Sequence, residues 1–229
     1  QPKDGALVSW IDYANDAVAQ GGFDTVVDTV GGGTSAVSHM YLSEGAGGSV
    51  AAMMLRIVLS NDVNDIASCF DGNTDVYEKI RGFIEDPSTA VDDITSNPDT
   101  YGNVRSDITD ENAVYLASIN AIVSGMNTVE IMNAYDAVCD AAGQKISYVM
   151  LDPSMLPLQY GDGDTFSTIA YFGDYAVDSY GAATQFYSYN TYYGYTVYTD
   201  AIYDTFLWKA MIGPSAAEAG FTGNNASYN

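Results

Sequence analysis

Ala6-Leu7-Val8-Ser9-Trp10-Ile11-Asp12-Tyr13-Ala14 is the stretch whose reading decides the fold. Ala6, Leu7 and Val8 form a short apolar run, and Trp10 and Tyr13 bracket a carboxylate where that run gives way to a helical pattern. The pattern predicts a buried strand over Ala6 to Trp10, a turn, and a helix from about Asp12 to Gln20. Gly21-Gly22 stops that helix, since glycine takes the left-handed cap without steric cost. Two roles fit the aromatic-framed acid. Rigid apolar walls exclude water and strengthen each hydrogen bond the carboxylate makes, which suits recognition. Alternatively, Trp10 is core and Asp12 is a helix N-cap.

Working outward, Gly31-Gly32-Gly33 reads as a loop before Thr34 to Val37, without P-loop spacing and without a helix start behind it. Gly45 to Ser49 reads as a second glycine-rich break, and Val50 to Val58 as a buried helical segment with Met53-Met54 used for packing. Between about Asp71 and Asp110, acids, Asn, Ser and Pro predict exposed loops interrupted by short helices such as Val76 to Ile84. Thr109-Asp110-Glu111 opens a helix with an apolar face at Val114, Leu116, Ile119, Ile122 and Val123, and Val129 to Ala141 is another, stopped by Gly143. Ile146 to Leu151 is an apolar run of strand length, ended by the turn at Asp152-Pro153.

From about 165 to 200 the chain turns β-prone and Tyr-rich, and alternation in Tyr187-Ser188-Tyr189-Asn190 and Tyr193-Gly194-Tyr195 predicts hairpin strands. Amphipathic rings on such strands can stack on sugars, or their hydroxyls can simply solvate one side of a sheet. Ala201 to Ile212 returns to helix before Gly213-Pro214. The fold class expected is mixed α/β: a helical core, a short central sheet and a Tyr-rich β region in the C-terminal third.

Composition narrows the partners. The chain has 229 residues, Asp+Glu 30 against Lys+Arg 7, and a net charge of −23, so a phosphate backbone would find no basic surface. Nucleic acid is therefore excluded as a partner, and anionic membrane surfaces are repelled for the same reason. A hydrophobic fraction of 47% argues for a packed globule in spite of that charge. No apolar run reaches the ~18–20 residues that span a bilayer, and the start at Gln1-Pro2-Lys3 leads us to expect a soluble piece of a longer protein. Cys69 and Cys139 lack metal or redox spacing, leaving two buried thiols or one disulfide, and His39, without a nucleophile motif around it, reads as structural.

Several separated segments share one resemblance. Leu7 to Ala14 resembles the strand and Trp-Trp-Asp-Tyr-Gly element of oligosaccharyltransferase catalytic subunits, the archaeal type in particular, with Gly31 to Ala36 similar to the loop behind it. Gly143 to Pro157 is similar to that family's second element, a strand ending in Asp152 with Met155 three residues on, and Phe206 to Gly213 to its closing helix. Ile11 and Ala14 stand where the family has its second Trp and its Gly. The resemblance implies that residues 1–229 form the soluble extracytoplasmic C-terminal domain of a membrane glycosyltransferase. Such an enzyme transfers a lipid-linked oligosaccharide to Asn in Asn-x-Ser/Thr during protein N-glycosylation.

What the resemblance implies for residues is a substrate-binding set of Trp10, Ile11, Asp12, Tyr13, Asp152 and Met155, with no catalytic residue in the chain itself. Asp12 and the Trp10 indole would meet the Ser/Thr hydroxyl, Met155 the Thr methyl, and Asp152 would hold the turn. The divalent metal, Mg or Mn, and the lipid-linked donor would sit in a membrane domain outside this chain, which alone would be inactive. The competing expectation is an extracellular calcium-binding adhesion or surface-layer module, with Asp92, Asp93, Asp162 and Asp164 as ligands. Asn225-Ala226-Ser227 is itself an acceptor-type triplet.

Overall fold

A computed structural model describes residues 4–27, 32–157 and 164–213, with the side chains of 63–65 left aside; Gly31, Asp162 and the triplet at Asn225 lie outside the described residues. The strand-then-helix reading of the N-terminus gives β1 (Ala6–Val8) and α1 (Ile11–Gly21), with Gly22 in the left-handed region at φ 65°. Trp10, not Asp12, occupies the N-cap position, and it makes no side-chain cap bond; Asp12 lies in the first turn, where a carboxylate suits the positive end of the helix dipole.

The body is helical: α2 (Thr34–Leu42), α3 (Gly45–Val58), α4 (Thr74–Glu85), α5 (Pro87–Ser96), the single turn α6 (Pro98–Tyr101), α7 (Asp110–Gly125) and α8 (Thr128–Ala142). β2 (Ile146–Val149) follows, then α9 (Thr165–Phe172), the hairpin strands β3 (Tyr187–Asn190) and β4 (Tyr195–Tyr198), α10 (Asp200–Asp204) and α11 (Phe206–Met211). The architecture is mixed α/β, a helical core with a small parallel sheet and an antiparallel Tyr-rich pair near the C-terminus. Met54, Leu55, Ile80, Ile122, Tyr115 and Val138 are fully enclosed where α3, α4, α7 and α8 meet. Each such aliphatic side chain removed from water contributes roughly 1.5–3 kcal/mol.

Five departures from the sequence reading have physical causes. Gly45 to Ser49 is not a break but the first turns of α3, where the missing side chains allow close approach: a Cβ on Gly48 would fall 2.8 Å from the Ser43 Cβ. A helix does start behind the glycine run, at Thr34. Gly33, at φ +84°, is its N-cap, and a Cβ there would lie 2.3 Å from the Val26 carbonyl oxygen. The acidic stretch 71–110 is mostly helix, because Asp86-Pro87 and Asn97-Pro98 place proline at the first helical position, where its fixed φ helps. Residues 165–172 are helix, capped by Asp164, so the Tyr-rich β region begins only at Tyr187; the final helix is broken at Thr205, which is extended and bridges to Glu44.

A buried polar hub ties these helices together. Asp174, 4% exposed and one of the rare non-glycine residues at positive φ (59°), accepts from Thr109 N (2.8 Å), Thr109 Oγ1 (2.7 Å) and Asn112 Nδ2 (2.9 Å). Asn112 Nδ2 also donates to the Phe172 carbonyl at 3.0 Å, so its Oδ1 is the acceptor and His39 Nε2–H the donor of their 2.8 Å bond. Complete burial drives the His39 pKa down to about 4, against the smaller opposing pull of that bond, and keeps the ring neutral. Cys69 and Cys139 are free thiols. Among the described residues no helix is long and apolar enough to cross a membrane.

Candidate functional site at the carboxyl ends of the parallel strands

β1 has partners on both of its edges. On one side it pairs in parallel with β2, with Val8 opposite Val149, and Met150 N extends the ladder to Val8 O at 2.8 Å. On the other side it makes a parallel bridge to Thr25, through Leu7 N to Asp24 O (2.7 Å) and Val26 N to Leu7 O (3.0 Å). The segment following α1, bridged at Thr25 alone, is therefore on one flank of β1 and β2 on the other. In open parallel sheets the crevice beyond the carboxyl ends at such a reversal is where ligands are held, since the two connections diverge there. The chain leaves β1 through Ser9-Trp10 into α1 and leaves β2 through Leu151-Asp152 into a 3-10 turn, Pro153–Met155, so both expected segments reach this point.

A hydrogen-bond chain closes across them. Ser154 Oγ donates to Asp152 Oδ1 at 2.6 Å, which leaves it to accept from Tyr13 OH at 2.9 Å; Ser154 N also donates to Asp152 Oδ1, at 2.9 Å. The Ser154 hydroxyl and amide hold the Asp152 carboxyl below the usual carboxylate range, slight desolvation opposes them, and Tyr13 adds to the lowering. Beneath, Tyr41 on α2 donates to the Met150 carbonyl at 2.6 Å and pins the end of β2; burial pushes its phenol far up, with Tyr13 adding to the shift.

The six expected residues divide by exposure. Asp12 is exposed, and Ile11, Tyr13 and Asp152 are half-buried at the rim. No hydrogen bond or ion pair engages Asp12 among the described residues. Trp10 is 1% exposed under the edge of Phe172, ring centroids 5.7 Å apart and planes at 65°, and Met155 is 0% exposed. Trp10 and Met155 thus belong to the buried core; the expected direct contacts of the indole with a hydroxyl and of Met155 with a methyl are not open in this conformation. Sequence reasoning missed Ser154, Tyr41 and Phe172. Asp152-Pro153-Ser154 carries a turn signal that could have pointed to Ser154; no local pattern marks Tyr41 or Phe172, which reach the site through α2 and α9.

Elsewhere, a cavity of about 590 Å³ opens at the amino ends of the same strands, lined by Asp24, Arg56, Asp140 and Lys145 among others. Its charges are mixed in sign. Of the residues expected to hold calcium, Asp93 accepts from Asn97 Nδ2 (3.1 Å) and from Tyr101 OH, and Asp164 caps α9 and accepts from Tyr187 OH. Among the described residues no group of three or more His, Cys, Asp or Glu is arranged to hold a metal ion. No protein-family description, no curated protein and no solved structure matches the chain.

Proposed function

We propose that the chain is the acceptor-recognition domain of a membrane oligosaccharyltransferase of the archaeal type, reading the Ser/Thr of Asn-x-Ser/Thr at the carboxyl ends of β1 and β2. The observation that carries this reading is the meeting of Tyr13 with Ser154 and Asp152, which sets Asp12 and Tyr13 on one rim of a crevice and Asp152 and Ser154 on the other. Asp12 supplies an uncommitted carboxylate that accepts the hydroxyl proton of an acceptor side chain, a charge-assisted bond roughly twice as strong as a neutral one. Tyr13 and Ser154, bonded to each other and through Ser154 to Asp152, hold the wall beside that carboxylate in place. Trp10 and Met155 act from below, as rigid apolar ground that keeps the rim in place. A site built to pair a hydroxyl rejects a side chain lacking one, because its own polar groups are left unpaired.

In this proposal the chain works at the extracytoplasmic face of the membrane and performs no bond chemistry. The lipid-linked oligosaccharide and the Mg or Mn ion belong to a membrane domain outside it, which agrees with a surface whose charge of −23 would repel a pyrophosphate donor.

The test is photocrosslinking with an Asn-Ala-Thr peptide carrying a benzophenone, followed by mapping of the labelled residues. Labels are expected within 10–13 and 152–156, with an Asn-Ala-Val peptide competing at least tenfold less well. Labelling elsewhere, or equal competition by the Val peptide, overturns the proposal.

A further inference from the structure

The hairpin β3–β4 divides one residue type into two populations. On its inner side Tyr187 is 0% exposed and bonds to Ser167 and Asp164, while Tyr198 donates to the Pro157 carbonyl at 2.9 Å and lies against Trp208, centroids 5.7 Å apart. These tyrosines hold the hairpin to the body. At the tip Tyr192, Tyr193 and Tyr195 are 86%, 64% and 52% exposed, so folding does not account for them. Tyr193 and Tyr195 are stacked, centroids 5.6 Å apart at 24°, and Tyr192 stands edge-on to Tyr193 at 4.7 Å. The turn beneath is built: Asn190 Oδ1 accepts from Tyr192 N and Tyr193 N, both at 3.1 Å, and Gly194 takes φ +70° where a side chain would be strained. The rings are therefore presented on a rigid support, which lowers the entropy lost when something binds them.

The charge pattern says what kind of ligand fits. From Ser179 to Thr199 there is no Asp, Glu, Lys, Arg or His, in a chain with 30 acids and a net charge of −23. A platform for stacked bases needs cations for the phosphates, and none is present on this stretch. A cage for a quaternary ammonium gathers rings around a cation, commonly with acids nearby, whereas here two rings lie nearly parallel on a stretch that carries no acid. What remains is a neutral ligand with an apolar face and hydroxyls at its rim, matched by ring faces beside Ser188 and Asn190, which share a face of the hairpin with Tyr195. Rigid tyrosines flanked by small hydroxyl and amide side chains are also the economical composition for such contacts, since few rotamers are lost.

We propose that the hairpin tip, Tyr192, Tyr193 and Tyr195, is a binding platform for neutral oligosaccharide. It rests on the hairpin alone and stands whether or not the acceptor crevice reads a hydroxyl. The experiment titrates the chain with cellohexaose, maltohexaose, chitohexaose and mannohexaose, with hexagalacturonate as the charged control, following tyrosine ring signals by NMR. Saturable binding of at least one neutral hexaose is expected, with none by hexagalacturonate. Tyr193→Ala should weaken that binding about tenfold or more at unchanged melting temperature, and Tyr193→Trp, which keeps a ring, should retain it. Failure of all four neutral hexaoses to saturate, or affinity unchanged in Tyr193→Ala, overturns the proposal. So does a fall in molar mass by light scattering in Tyr193→Ala without sugar binding by the parent chain, which would mark the tip as a contact between copies.

Discussion

The tripeptide Asp-Pro-Ser occurs twice in this molecule and does two different things. Asp86-Pro87-Ser88 opens α5 and Asp152-Pro153-Ser154 opens the 3-10 turn after β2, with the same bonds: serine Oγ to aspartate Oδ1 is 2.6 Å in both, and serine N to Oδ1 is 3.2 and 2.9 Å. The first copy is a helix start, its aspartate capping the residues that follow. At the second, Tyr13 reaches Ser154 from across the sheet, and a capping device becomes the seam between two segments that are 141 residues apart. The local chemistry of the motif is capping in either place; the tertiary partner makes the difference.

The comparison is broken most severely from below. Trp10→Ala empties the core behind the first helical turn that carries Tyr13, and should lower unfolding free energy by about 3–5 kcal/mol in urea denaturation, a large core truncation. Tyr41→Phe removes the donor to Met150 and leaves a carbonyl at the end of β2 unpaired, for about 1–2 kcal/mol by the same measurement; crosslinking of the acceptor peptide should weaken with it. Ser88→Ala and Ser154→Ala should each cost about 0.5–1.5 kcal/mol for the lost serine hydroxyl bond, the backbone N–H to aspartate cap remaining. Only Ser154→Ala should also erode the preference for Thr over Val in the peptide, and equal erosion by Ser88→Ala would remove the distinction.

The smallest effect concerns the proton. The Asp152 carboxyl is held below its ordinary value, so its contribution to stability is present above the unfolded carboxylate pKa and is lost as pH falls through the lower, folded one. Carbon-detected NMR titration should place its midpoint below about 3.9, the reference value, and Ser154→Ala should return it upward.

How much was legible follows from where each signal is stored. α7 and α8 could be read because their ends are written locally: Thr109 accepts from Asn112 N, and Asn127 with Glu130 forms a reciprocal cap. β1, β2 and the hairpin were legible from short apolar or alternating runs. The glycine-led starts of α2 and α3 were not, because glycine there serves contacts with Val26 and Ser43, which only the folded chain reveals. The break at Thr205 is equally tertiary, since Phe206 N donates to Ser43 O at 2.9 Å. In the candidate site, Asp12, Tyr13, Asp152 and their neighbours could be named from the chain, but their division into core and rim could not. Burial of Trp10 depends on Phe172, and nothing near Trp10 in sequence announces α9 above it.

The two tryptophans give the molecule a built-in optical readout of both surfaces. Trp10 is sealed in the core beneath the strand ends, and its emission should be blue. Trp208 is half-buried beside Tyr198 and Tyr203, ring centroids 5.7 and 5.2 Å away, so it collects excitation from the phenols that root the hairpin. A peptide entering between the strand ends should perturb the short-wavelength band, and a sugar on the tip the long-wavelength one, so one unlabelled sample can report which face has been occupied.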